Sequence, residues 1–160
     1  MTEAQFRARL IALFLPLALL AGAWGSQLIG GLYPCEMCHW QRWPHYAAVV
    51  IAGLAFVVPG RSTRVTLIAG AAAMIALSGL IGVFHAGVEY HWWNGITACS
   101  VMAGGEGVST DQMLRNILAA PVIRCDAAQW RLIGISLAGW NAIFSLGGAG
   151  LIALLIRRPA

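Results

Sequence analysis

The chain has 160 residues, of which 59% are hydrophobic and only 10% charged, and its mean hydropathy is +0.75. A soluble domain carries about 25% charged residues to clothe its surface, so this composition excludes an ordinary water-soluble globule and selects one that faces lipid. All ten basic residues are arginine and the formal charge is +4, but the arginines are scattered in pairs rather than gathered on one face, which argues against nucleic acid as a partner.

Four apolar stretches predict an all-α fold, an integral membrane four-helix bundle that occupies residues 1–160 as a single membrane domain. The expected spans are about 10–29, 43–58, 65–88 and 132–156, leaving outer loops at 30–42 and 89–131. A hydrocarbon core of ~30 Å needs about 17–25 helical residues. The second stretch is short by that measure unless its helix begins near Cys38, which would bring the cysteines there to the membrane surface. The first stretch has the look of a signal peptide, with Arg7 and Arg9 ahead of it and Ala21-Gly22-Ala23 near its end. Its apolar run continues through Trp24 to Ile29, which favours an uncleaved span.

Arginine placement sets the expected orientation. Arg7 and Arg9 precede the first span, Arg61 and Arg64 separate the second and third, and Arg157 and Arg158 follow the fourth. That side is expected to be cytoplasmic, with both termini inside and every cysteine on the outer face. Trp40, Trp43, Trp92, Trp93 and Trp130 cluster at the outer ends of the spans, as an aromatic belt does. Small residues recur inside the third span (Gly70, Ser78, Gly79, Gly82) and the fourth (Ser136, Gly139, Gly147, Gly148, Gly150), where they let helices approach closely.

The chemistry-bearing residues lie in the two outer segments. The first contains Cys35-Glu36-Met37-Cys38-His39-Trp40-Gln41-Arg42; the second holds Cys99 and Cys125. After Asp111, a plausible N-cap, Met113, Leu114, Ile117 and Leu118 share one face, so a short amphipathic helix is expected to rest on the membrane or the bundle. Four outward cysteines allow three pairings. Cys35 and Cys38 are close enough to pair locally, which leaves Cys99 with Cys125, though the resting connectivity stays open at this point.

A Cys-x-x-Cys disulfide closes too small a loop to remove much chain entropy and is a poor staple. The same spacing suits redox work, because one thiolate is readily stabilised and its neighbour attacks rapidly. Zinc is the competing use of such a pair, with His39 and His91 in reach along the sequence, but the wide spacing of Cys99 and Cys125 lacks a second zinc half-site. No metal is expected. Arg42 lies one turn after Cys38, where its cation and the positive end of the helix dipole favour the Cys38 thiolate; the blander role is snorkelling to headgroups. His85 and Glu89, one turn apart near the outer end of the third span, are candidates for proton handling or are simply wetted at the interface.

The run from Cys35 to Arg42, the four-span plan, the second cysteine pair and the segment Arg124-Cys125-Asp126 leading to Trp130 together resemble the disulfide bond formation protein B (DsbB) family over essentially the whole chain. That resemblance implies a membrane thiol–disulfide oxidase that reoxidises a DsbA-like, thioredoxin-fold periplasmic dithiol protein and passes the electrons to ubiquinone or menaquinone. It implies catalytic roles for all four cysteines: Cys99 would form the mixed disulfide with the partner, Cys125 would resolve it, Cys35 would exchange with Cys125, and Cys38 would engage the quinone. Arg42 would hold the quinone, with His85 nearby as a neutral relay for its protons.

Two other readings compete. A conduit running electrons outward needs cysteines within the membrane or on its cytoplasmic side, and none is present. A non-enzymatic tetraspan scaffold or transporter with two structural disulfides would use polar residues buried mid-span, for which Gln27 and Asn141 are slender support.

Overall fold

The computed structural model describes residues 2–96 and 124–157. Within them the regular structure is helical apart from one minimal hairpin. Helix α1 (Glu3–Leu28) opens on a capping box: the Thr2 hydroxyl accepts from the Gln5 amide at 3.2 Å, and the Gln5 side chain accepts from the Thr2 amide at 3.3 Å. Helix α2 (Glu36–Val57) begins directly after Cys35, whose Sγ accepts from the Cys38 amide at 3.3 Å and so serves as the N-cap. Its 22 residues span about 33 Å. Helix α3 (Arg61–Glu89) follows a tight connection in which Gly60 takes φ +92, open to glycine alone at no steric cost.

Residues 131–136, where the fourth apolar stretch begins, are not helical. Strands β1 (Arg131–Leu132) and β2 (Ile135–Ser136) pair antiparallel, with Arg131 opposite Ser136 and Leu132 opposite Ile135. Ile133 and Gly134 both have positive φ, 53 and 78, as a two-residue type I′ turn requires. The Tyr90 hydroxyl holds this hairpin by donating to the Gly134 carbonyl at 2.8 Å and accepting from the Ser136 amide at 3.1 Å. Helix α4 (Leu137–Arg157) therefore starts five residues later than hydropathy alone suggests.

α3 packs most extensively, against α2 and α4, and α1 closes the arrangement by contacting the same two helices. The interior is built from small residues: Ala8, Ala12, Ala48, Ala52, Ala71 and Ala149 are buried together with Ile68, Ile75 and Ile152. Large apolar side chains such as Phe14, Val50, Leu80, Ile143 and Leu154 point outward and are exposed. A water-soluble domain does the reverse. Close approach explains the small interior: a Cβ on Gly79 would lie 2.8 Å from Leu146 Cγ, and one on Gly82 would lie 3.0 Å from the Ala138 carbonyl oxygen. Gly148 packs on Leu15 in the same way, whereas Gly147 and Gly150 meet nothing within 4 Å and take no part in helix contact.

α1, α3 and α4 are each long and apolar enough to cross a membrane. α2 is the polar member of the set, carrying Glu36, His39, Gln41, Arg42 and His45 in its first half. At the opposite end of the helices, the Arg9 guanidinium lies over the Phe56 ring at 4.1 Å and Arg64 donates to the Val58 carbonyl at 2.9 Å. Cys99 and the amphipathic helix expected after Asp111 lie outside the described residues.

Candidate active site

The first turn of α2 sets the two cysteines of Cys35-Glu36-Met37-Cys38 side by side. Their sulfurs lie 2.9 Å apart; Cys35 is buried and Cys38 half-buried. Both precede the second apolar stretch of the sequence. The pair is electrostatically unequal. Cys35 directs its S–H at Cys38 and is itself buried, so its thiol is pushed up and stays protonated. Cys38 receives that hydrogen bond, and its thiol is pushed down despite its burial, with the Arg42 cation adding a smaller pull in the same direction.

His85, one turn before the end of α3, reaches the pair across the helix interface. Its Nε2 lies 3.5 Å from Cys35 Sγ and 3.8 Å from Glu89 Oε1. Both residues are buried, His85 at 2% exposure and Glu89 at 7%, so neither is simply wetted at an interface. Cys35, Cys38 and His85 offer three ligand atoms within 4.8 Å of one another, a partial set for a thiophilic metal. His39 and His91, the histidines nearest the cysteines in sequence, are exposed and stand apart from that set.

Behind His85 runs a hydrogen-bond chain whose donors and acceptors are fixed by backbone carbonyls. Gln41 Nε2 lies 3.3 Å from the Met37 carbonyl, which can only accept, so the same NH₂ donates to His85 Nδ1 at 2.7 Å. His85, in its neutral form, therefore carries its proton on Nε2, facing the dithiol. Gln41 Oε1 accepts from Asn141 Nδ2 at 2.8 Å, and that NH₂ also lies 3.3 Å from the Ser78 carbonyl. Asn141 Oδ1 is left to accept from His45 Nε2 at 3.0 Å and from the Ser145 hydroxyl at 3.1 Å. Residues of α2, α3 and α4 are thus joined by one buried polar chain.

Arg42 sits on the same face of α2, buried against α1. It donates to Gln27 Oε1 at 2.8 Å and to the Ala23 carbonyl at 3.1 Å, with its guanidinium 5.3 Å from the Trp24 ring centroid. Gln27 is therefore a support for the arginine. Cys38, Gln41, Arg42, His45, His85 and Asn141 all line one cavity of about 430 Å³, otherwise walled by apolar residues including Leu19, Leu20, Trp140 and Phe144. That volume falls within the range of about 300–1,000 Å³ typical of small-molecule sites, and a mostly apolar wall with a few convergent polar groups is their usual chemistry.

Cys125 closes the outer side. It is buried in one cluster with Cys35, Met37 and Val88. The flanking Arg124 makes a two-pronged pair with Asp126, at 2.8 and 2.6 Å, and that hydrogen bonding holds the Asp126 carboxyl below the usual carboxylate range. Gln129 donates to the Tyr33 carbonyl at 2.6 Å, tying this outer segment to the one before Cys35.

A family model described as disulfide bond formation protein DsbB matches residues 5–155. This chain belongs to the DsbB family. Disulfide bond formation protein B of Verminephrobacter eiseniae is 32% identical over 88% of this chain and 80% of its own length. The protein of the same name from Xylella fastidiosa is 30% identical over 95% and 90% respectively, and that of Marinobacter nauticus 31% over 79% and 76%. No solved structure gives a significant match. Membership makes the chain a membrane disulfide-forming oxidoreductase, in keeping with its three bilayer-length helices and its cysteine-lined cavity.

Within this DsbB-family chain, the structure brings together Cys35, Cys38, Cys125, Arg42 and His85. The residues to which the sequence assigns no chemistry are Gln41, inside the motif, and His45, Ser78 and Ser145, outside it. Their signal in the sequence is positional: Gln41 and His45 follow Cys38 at three and seven residues, on the helical face the cysteine itself occupies.

Proposed function

We propose that this chain is a quinone-coupled protein-dithiol oxidase of the bacterial inner membrane, a four-span bundle with both termini cytoplasmic and its cysteines periplasmic. The observation that carries this reading is the opening of Cys38 and Arg42 into an apolar cavity among the helices. A ring of modest polarity fits that donor set: a guanidinium already held by Gln27 and the Ala23 carbonyl, apolar and aromatic walls, and a thiol at the mouth. Bound there, ubiquinone or menaquinone supplies an acceptor for two electrons and two protons.

The chain's own residues carry the rest. A reduced DsbA-like dithiol protein is oxidised to its disulfide as Cys99–Cys125 is reduced: one partner thiolate attacks Cys99, Cys125 leaves as the thiol, and the partner's second thiol closes the partner's disulfide and frees Cys99. Packing of Cys125 beside Cys35 supports exchange between those two, which passes both electrons to the Cys35–Cys38 pair. Cys38 then serves as the thiolate, favoured by the hydrogen bond from Cys35 and by Arg42. His85 Nε2–H faces the sulfurs and is placed to hold a proton there.

The test is a purified detergent preparation given a reduced DsbA-like protein and a soluble quinone, with quinone absorbance followed in the wild type and in Cys38→Ser. Catalytic quinone loss in the wild type alone is the expected result. Normal turnover in Cys38→Ser would overturn the assignment of that cysteine. No turnover by folded wild-type protein across several partners and quinones would leave a scaffold held by two disulfides.

A further inference from the structure

The turn of the outer hairpin carries a residue that its backbone does not favour. A type I′ turn needs positive φ at both central positions, which selects Asn-Gly or Asp-Gly. Gly134 meets that demand. Ile133, at φ 53, does so under strain, because a β-branched side chain fits the left-handed region poorly. Its side chain is 86% exposed, so packing among the described residues does not offset the strain.

Neighbouring contacts fix the level at which the tip stands. Tyr90, the residue after α3, donates its hydroxyl to the Gly134 carbonyl at 2.8 Å and accepts from the Ser136 amide at 3.1 Å. The Tyr90 ring lies 5.5 Å from that of Trp92, and the Arg131 guanidinium stands 5.3 Å over its face. Leu137, directly after the hairpin, opens α4 and is itself exposed, the first of the outward apolar side chains of that helix. The turn is thus tied to the ends of two helices of bilayer length, near the exposed rings of Trp92, Trp93 and Trp130. Trp and Tyr at helix ends mark the headgroup level. Tyr90 also satisfies a carbonyl and an amide that poorly hydrated surroundings would make costly to leave unpaired.

We propose that the hairpin is a membrane anchor, with Ile133 inserted into the interfacial layer of the bilayer between headgroups and acyl chains. The proposal rests on the membrane-spanning bundle proposed above and needs no quinone. Insertion removes nearly all of the exposed isoleucine surface from water, which offsets the strain of one turn residue. Trp130 and Leu132 line the cavity, and Cys125 lies six residues before Arg131. An anchored hairpin therefore holds the outer wall of the cavity and the Cys125 segment at one depth.

Methyl NMR of the unsubstituted protein in lipid nanodiscs reads that depth, with Ile133→Val identifying the Ile133 signal by its loss. A water-soluble gadolinium chelate is compared with lipids spin-labelled just below the headgroup or near the chain end. The Ile133 methyl should lose more signal to the headgroup-proximal label than to the chelate. Equal or greater loss to the chelate places the tip in water, open to a soluble partner, and overturns the anchor. Retention of signal with every agent means that protein covers the tip, and overturns it equally. Ile143, half exposed on α4, is the reference for the bundle. If neither lipid label reaches Ile143, the membrane-spanning reading fails; if they reach Ile143 and not Ile133, the anchor alone fails.

Discussion

His85 Nε2 stands 3.5 Å from the Sγ of Cys35, and its orientation is decided on the far side of the ring, where Gln41 donates to Nδ1 at 2.7 Å. A histidine free to exchange tautomers would present a lone pair to the thiol for part of the time. Gln41 removes that state, so the group facing the dithiol is an N–H. Gln41→Leu is expected to release the ring and leave Asn141 without its amide partner. Rates of quinone reduction should fall by about ten-fold or more, since one N–H donor held toward developing charge contributes at least that much. Loss of the interhelical bonds should cost about 0.5–2 kcal/mol of stability. Stopped-flow quinone reduction and denaturation in mixed micelles check the two parts separately.

The unequal dithiol makes a pH prediction. A thiol pushed down is a thiolate at lower pH than usual, and one pushed up stays protonated to higher pH. In the reduced protein, one equivalent of iodoacetamide should therefore modify Cys38 ahead of Cys35, with a midpoint below the ordinary thiol value of about 8.5. Because the largest cause is the hydrogen bond from Cys35, Cys35→Ala should move the Cys38 midpoint up, and Cys35→Ser, which keeps a donor, should move it less. Peptide mass spectrometry across pH reads each site. Equal labelling of the two cysteines would contradict the asymmetry.

Hydropathy and the Cys-x-x-Cys spacing exposed the helices and the dithiol, because length, apolarity and a short motif are local properties of the chain. Arg42 was legible for the same reason, being one turn from Cys38. The burial of His85 and Glu89 was not, since their distance from the interface depends on how Tyr90, the hairpin and Cys125 fold over them. Nor was the hairpin at 131–136: Leu132, Ile133 and Ile135 read as the start of a span, and only the Tyr90 hydroxyl and the positive φ of Ile133 and Gly134 remove them from it. Gln27 and Asn141, isolated polar residues in apolar runs, give only slender support to a transporter in the sequence. Each instead satisfies a partner that is distant in sequence, Arg42 for one and Gln41 with His45 for the other.

Arg42 binds both to α1 and, through its charge, to the chemistry of Cys38. Arg42→Ala is expected to raise the KM for quinone about ten-fold, as loss of a charge-assisted contact predicts, and to move the Cys38 alkylation midpoint upward. Arg42→Lys keeps the charge but cannot reach Gln27 and the Ala23 carbonyl with one planar fork. It should restore the alkylation midpoint more fully than the KM. Recovery of both to the same extent would mean that charge alone is what Arg42 contributes.

The contact of α3 with α4 predicts which glycines the fold depends on. A Cβ at Gly82 would press on the Ala138 carbonyl oxygen at 3.0 Å and the Ala142 nitrogen at 3.1 Å, both of them backbone atoms that a rotamer change cannot move. Asn141, which carries the polar chain, projects from this same turn of α4, with its Nδ2 3.2 Å from that Cβ position. Gly82→Val should therefore force the helices apart, cost about 1–3 kcal/mol as overpacking does, and loosen the Asn141 contacts with Gln41 and His45. Gly147→Ala, where a Cβ meets nothing within 4 Å, is the matched control and should gain slightly from better helix propensity. Denaturation in mixed micelles measures the first effect, and reactivity of Cys38 toward iodoacetamide tests whether a disturbance at Gly82 travels through Asn141, Gln41 and His85 to the dithiol.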